Sequence, residues 1–185
     1  MKYYSFESCG VETTKFCEPR LFGEWAGEVL WANEWRNRNL TLPVTMYVKN
    51  KYNPGDYPLA GSALVSKKLL NVIKQLNKDY ETLPTQLYYK EKEPIWDTYY
   101  SMIFPEYEAF NFEKSEYSEG LSEGDIGIIR KLVLSKEKLA ISNNGSNNIF
   151  ALKEKNNNLF CAETAKNMIE AVGIKDVSFT EVPVE

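Results

Sequence analysis

Histidine is absent from all 185 residues. That absence removes the commonest general base, the usual base of a nucleophilic triad and the commonest zinc ligand together. Cysteine is scarce, with Cys9, Cys17 and Cys161 as the three thiols and no framework spacing between them. Neither a Cys/His zinc cage nor a Cys-His nucleophile can be assembled from this set, and the odd count fits a reducing compartment better than a disulfide scaffold. The ten glycines form neither G-x-x-x-x-G-K-[ST] nor G-x-G-x-x-G, so the familiar phosphate cradles are missing. No apolar run approaches the roughly 18 to 20 residues of a membrane-spanning helix, and Met1 to Ser5 lacks the apolar stretch of a signal peptide. These absences predict a cytoplasmic protein that is not an enzyme and has no metal site and no cofactor.

The composition that remains is that of a folded chain. Hydrophobic residues make up 43% and charged residues 26%, and the 12 Tyr, 9 Phe and 4 Trp supply more aromatic surface than a core of this size needs. A length of 185 residues suits one domain. Net charge is -4, from 26 acidic and 22 basic residues, which disfavours phosphate backbones and anionic lipid as partners and would steer a basic protein toward the surface. Nucleic acid and membrane are therefore not expected partners.

Local patterns predict an α+β fold, mainly an antiparallel sheet packed against two principal helices. Strand signals fall at Lys2 to Phe6, Thr45 to Lys49, Thr85 to Lys90, Thr98 to Phe104, Ile126 to Leu134, Asn148 to Lys153, Leu159 to Cys161 and Val177 to Val182. A helix is expected from Ser66, a capping residue, to Asn77, because Leu69, Val72, Ile73 and Leu76 fall at i, i+3, i+4 and i+7. A second repeats the device with Ala165, Met168, Ile169 and Val172 and stops at Gly173, although Ala162 stands where a capping serine is expected. Asn156-Asn157-Asn158 and Asn143-Asn144-Gly145-Ser146 read as turns. From Cys17 to Leu42 the tryptophans Trp25, Trp31 and Trp35 follow no clean period.

The strongest binding signal lies between Glu106 and Asp125. Glu106, Glu108, Glu113, Glu116, Glu119, Glu123 and Asp125 stand there against one base, Lys114. Tyr107, Phe110, Phe112 and Tyr117 are interleaved with them, which combines charge that steers encounter with rings that supply contact energy once docked. The candidate partner-binding set is Glu106, Tyr107, Glu108, Phe112, Glu113, Glu116, Tyr117, Glu119, Glu123 and Asp125. The competing reading is a solvated loop whose rings turn inward and whose acids face water. One catalytic class survives the missing histidine, since a glycoside hydrolase needs only two carboxylates about 5 to 9.5 Å apart. A generic protein-binding or scaffolding domain is the other alternative.

From about Ser62 onward the chain resembles a family of bacterial immunity proteins of polymorphic toxin systems, once catalogued as a domain of unknown function and typified by a myxobacterial member. The likeness rests on the order of Leu64-Val65-Ser66 before a helix, Leu83-Pro84 before a strand, the pair Tyr99-Tyr100, and Phe110 to Ser115 in the acidic turn. It continues through Ile149-Phe150-Ala151-Leu152, Leu159-Phe160 leading into the second helix, and Gly173 before a terminal strand with Pro183. What the resemblance implies is a protein that binds and blocks a cognate toxin without catalysis or cofactor. The region before Ser62 carries the least of it.

Overall fold

The computed structural model describes residues 1–8, 18–21, 24–25, 44–48, 55–57, 63–89, 93–120, 126–142 and 147–185. Over these residues the chain is a strand-rich mixture of α and β structure. Thirteen strands and three helices are described. A five-stranded sheet joins β1 (Tyr3–Ser8), β8 (Glu106–Tyr107), β11 (Ile149–Leu152), β12 (Lys155–Ala162) and β13 (Val177–Val182) in the order β13-β1-β12-β11-β8. A six-stranded sheet joins β2 (Glu18–Leu21), β3 (Glu24–Trp25), β4 (Val44–Val48), β5 (Ala63–Ser66), β6 (Glu81–Tyr89) and β7 (Glu93–Ile103) in the order β3-β2-β4-β6-β7-β5. A separate hairpin is made by β9 (Glu116–Glu119) and β10 (Ile126–Lys131). Pairing is antiparallel apart from β11 with β8 and β4 with β6, which run parallel.

The expected helix is α1 (Lys67–Leu76). The Ser66 side chain accepts from the Leu69 backbone N–H at 3.1 Å, and its backbone is extended at φ -67 and ψ 160, as an N-cap requires. Its apolar stripe is buried through Leu69, Leu70, Val72, Ile73 and Leu76, which contributes on the order of 10 kcal/mol before chain entropy is subtracted. The second expected helix is α3 (Glu163–Val172), closed by Gly173 in the left-handed region at φ 68. Ala162 makes no side-chain cap there, since a methyl group can accept no hydrogen bond; the residue is 1% exposed and packs into the core on one face of the sheet. Val172, expected on the inner stripe, is 43% exposed. A third, shorter helix, α2 (Lys136–Ser142), buries Leu139.

The five-stranded sheet is covered on both faces, and the strand period of two separates the cores. Tyr4, Phe6, Ile149, Ala151, Leu159 and Cys161 point to one face, where they meet α1, α3 and Val65 and Met102 of the larger sheet. Tyr3, Phe150, Leu152, Phe160, Ala162 and Val182 point to the other. There they meet Tyr107, Ala109, Phe110, Ile126, Leu134 and Leu139. The run Ile149-Phe150-Ala151-Leu152 is buried at every position for this reason.

Several expected boundaries move. The turn between β11 and β12 falls at Lys153 and Glu154 instead of Asn156-Asn157-Asn158. The pairs Ala151↔Leu159 and Leu152↔Lys155 are consecutive in register, so the three asparagines take up a bulge within β12. The run Ile126 to Leu134 leaves its strand at Lys131, and Leu134 instead bridges Phe110 and Val184. The expected turn at 143–146, and Cys9, Cys17, Trp31 and Trp35, lie outside the described residues, as do the side chains of Trp25 and Trp96.

Candidate functional site

The described part of the segment carrying the candidate residues, 106–120, lies over the second face of the five-stranded sheet. It is tied down through its backbone. Asn111 N–H donates to the Val133 carbonyl at 3.0 Å, and Ser135 N–H to the Ala109 carbonyl at 2.8 Å. The Ser115 hydroxyl bonds both backbone groups of Val133, accepting from N–H at 3.0 Å and donating to the carbonyl at 3.2 Å. The C-terminal residues complete the clamp: Leu134 N–H donates to the Pro183 carbonyl at 2.9 Å, Glu185 N–H to Leu134 at 3.0 Å and Lys136 N–H to Glu185 at 3.0 Å.

Within this layer the rings divide. Tyr107 is buried and stacks on Phe150 with centroids 4.8 Å apart, and burial raises its hydroxyl pKa. It belongs to the core. Phe110 is fully buried, and Phe112 and Tyr117 stand edge-on against it at 4.9 and 5.4 Å. Those two rings are 42% and 37% exposed and meet each other at 5.8 Å and 79°. Lys138 of α2 lies 5.3 Å from the Phe112 centroid and donates to the Phe110 carbonyl at 3.3 Å, so Phe112 is held between a buried ring and a cation, while Tyr117 rests on Phe110 and Phe112.

The acids also divide. Glu106, Glu108, Glu113, Glu116 and Glu119 are all exposed. Glu108 forms an exposed ion pair with Lys153, whose hydrogen bond holds the carboxylate below its usual range and lifts the lysine. Glu123 and Asp125 lie outside the described residues. Pairing brings bases beside the acidic run, with Lys131 of β10 opposite Glu116 of β9. Arg130, Lys131 and Lys136 are exposed, so the folded layer carries several bases beside the acids where the linear segment has only Lys114.

Sequence reasoning missed Ile128 and Ile141, which are 72% and 75% exposed. Leu139 and Ile141 share a face in a strand and part only in a helix, so the exposure of Ile141 becomes evident once α2 is known. No cluster of three or more His, Cys, Asp or Glu side chains suited to a metal occurs among the described residues. No helix among them is long and apolar enough to cross a membrane.

A family model described as an immunity protein family, Imm11, matches residues 24–184. The chain belongs to the Imm11 immunity protein family. The Imm11 match takes in residues 24–61 as well as the part from Ser62 onward that carries the motifs. The tryptophans Trp25, Trp31 and Trp35 lie within the Imm11 span, as does every candidate binding residue. No curated protein matches the chain significantly.

Proposed function

We propose that this Imm11 member binds a cognate toxin of a bacterial polymorphic toxin system and neutralises it by contact, without catalysis or cofactor. It acts as a single domain in the cytoplasm, with a protein and not nucleic acid or membrane as its partner. The single observation that carries the reading is membership of an immunity family over residues 24–184. The missing histidine supports a role that needs no imidazole base. The binding surface in this reading is the layer from Glu106 to Asp125, with Glu113, Glu116 and Glu119 steering a basic toxin and Phe112 and Tyr117 supplying contact. A standard interface would bury about 800 Å² on each partner.

The test is co-expression with a candidate toxin domain taken from a neighbouring gene, scored for growth and co-purification. Rescue accompanied by a stable complex is the expected result. Death of cells that contain ample soluble protein would remove the immunity reading, and rescue without a complex would remove neutralisation by contact.

A further inference from the structure

Among the described residues six strands end a sheet or hairpin, and five of them are blunted against further pairing. β3 and β8 are two residues long, and β5 is four, with Leu64 and Val65 buried before the chain turns into α1. β9 has Glu116 and Glu119 at its ends, while β10 carries Arg130 and Lys131 and shifts register twice. Short length, charge and irregular register keep an open edge from recruiting another strand. β13 is built otherwise. Its six residues, Val177–Val182, pair with β1 in unbroken register and include no proline, lysine or arginine. Its one charged residue, Glu181, is tied to Lys2 at 2.9 Å.

No strand among the described residues lies along the outer side of β13. Both limits of that open edge are set by backbone bonds. Lys175 N–H is committed to the Asp56 carboxylate at 2.9 Å, and past Val182 the backbone bonds Leu134 and Lys136. Between these limits Val177 and Phe179 pack on the core that α1 and α3 cover, Phe179 against Phe6 at 5.6 Å, yet both stay partly exposed. An added strand would pair the open backbone groups and cover the free side of the Phe179 ring.

We infer that β13 pairs antiparallel with β13 of a second copy of this chain, joining the two five-stranded sheets across a twofold axis. Antiparallel pairing is unchanged by such an axis, so one edge serves both partners. Charge selects the same occupant. Lys175 and Asp176 stand together before the strand, Lys2 balances Glu181 at its far end, and Val177–Thr180 carries no charge. The antiparallel arrangement brings Lys175 and Asp176 of one copy toward Glu181 and Lys2 of the other, so a neutral pair meets a neutral pair and the copies do not repel. A strongly basic or acidic partner finds nothing here to steer it. A register centred near Phe179 and Thr180 also sets the two Phe179 rings side by side on the face that the helices cover. One strand pair with these rings is smaller than a standard interface, so the dimer is a weak one that forms as concentration rises.

Sedimentation of the purified chain from micromolar to millimolar concentration, with hydrogen exchange read on β13, tests the pairing. The mass should rise from one chain to two, and exchange at Val177–Val182 should slow as it does. Thr180→Lys puts like charges near the axis in both copies and should weaken association about tenfold or more. Thr180 is exposed, so the substitution is compatible with the fold, and Thr180→Val, which adds no charge, should leave the dimer intact. If Thr180→Lys melts early, exchange in the wild-type chain at low and high concentration decides alone. A chain that stays monomeric throughout, or a dimer whose β13 amides exchange as fast as the monomer's, overturns the pairing. Slowing of those amides only when a candidate toxin domain is added overturns it too, and gives the edge to a strand of the toxin.

Discussion

Asn77 shows how one polar residue can hold two layers together. It is 3% exposed and sits at the end of α1, where its side-chain N–H donates to the Ile149 carbonyl at 2.6 Å. Its side-chain oxygen accepts from Asn148 N–H at 3.1 Å and Ile149 N–H at 2.9 Å, so the amide stands in for a strand neighbour at the start of β11. Asn147 reciprocates by accepting from Lys78 N–H and Asp79 N–H at 3.0 and 2.9 Å and donating to the Asp79 carboxylate at 2.8 Å. Replacing Asn77 with Leu keeps the volume but leaves buried backbone groups of Ile149 without partners, at a cost of about 2 to 3 kcal/mol. Thermal melting should fall by roughly 4 to 12 °C; an unchanged midpoint would show that water or relaxation replaces the amide. Tyr57 gives a second expectation at this scale. Its ring is 8% exposed and stacks on Phe6 at 4.8 Å, and desolvation, then the nearby Glu7 charge, raises its pKa above the ordinary value of 10.0. A phenol with a raised folded pKa costs nothing below its unfolded pKa, and destabilises progressively above it because the unfolded chain loses the proton first. Stability should therefore decline as pH rises beyond about 10, and Tyr57→Phe should flatten that part of the pH profile relative to the parent. Equal slopes in the two proteins would assign alkaline unfolding to other groups.

Helix α1 is the element in which local and distant forces meet most closely. Ser66 caps Leu69 and also donates its hydroxyl proton to Asp56 at 2.6 Å, while Asp56 accepts from Lys175 N–H at 2.9 Å through its other oxygen. The cap therefore ties the start of α1 to the turn after α3. Ser66→Ala should cost about 1 to 2 kcal/mol, toward the top of the range for caps because two hydrogen bonds disappear. Urea denaturation would measure it, and a loss confined to a few tenths would mean that water substitutes for the hydroxyl. The same helix was legible in the sequence because it buries one stripe against a single core. Strand β9 was not, since all four of its residues are exposed and no apolar alternation remains to be read. Helix α2 was hidden for the related reason that Leu139 is its one buried residue. The acids and rings of the candidate site were visible as residue types, but their sorting was not. Tyr107 is buried because β8 pairs beside β11, and Glu116 meets Lys131 because β9 pairs with β10. Both facts depend on register between distant segments, which alternation within one segment does not encode.

At the scale of the whole molecule, the five-stranded sheet is shared by two cores, and the two outer coverings differ in how firmly they are built. Strands β1, β11 and β12 send alternate residues into each core: Phe150 and Phe160 face one way, and Ile149 and Cys161 the other. Opening these strands would expose both sets of side chains, so their amides should exchange only through global unfolding. The β9–β10 hairpin has no such commitment. Its four β9 residues are exposed, its register shifts twice within β10, and its inward contribution rests chiefly on Ile126 and Ile129. Local opening there leaves the sheet paired and most of both cores closed. Hydrogen exchange followed by mass spectrometry should therefore find the slowest amides in β1, β11 and β12, and markedly faster exchange at Glu116–Glu119. Burial predicts the same order for the thiol of Cys161, which is 0% exposed with a pKa pushed up to about 12. In a Cys9→Ser, Cys17→Ser background it should resist alkylation under native conditions and react once the sheet opens. Prompt native alkylation of Cys161 would mean that the sheet itself opens locally, and exchange at Glu116–Glu119 as slow as in β12 would mean that the hairpin and the sheet unfold as one unit. The hairpin would then belong to the same cooperative body as the sheet, and a partner that gripped it would stabilise the whole fold instead of quieting one local motion.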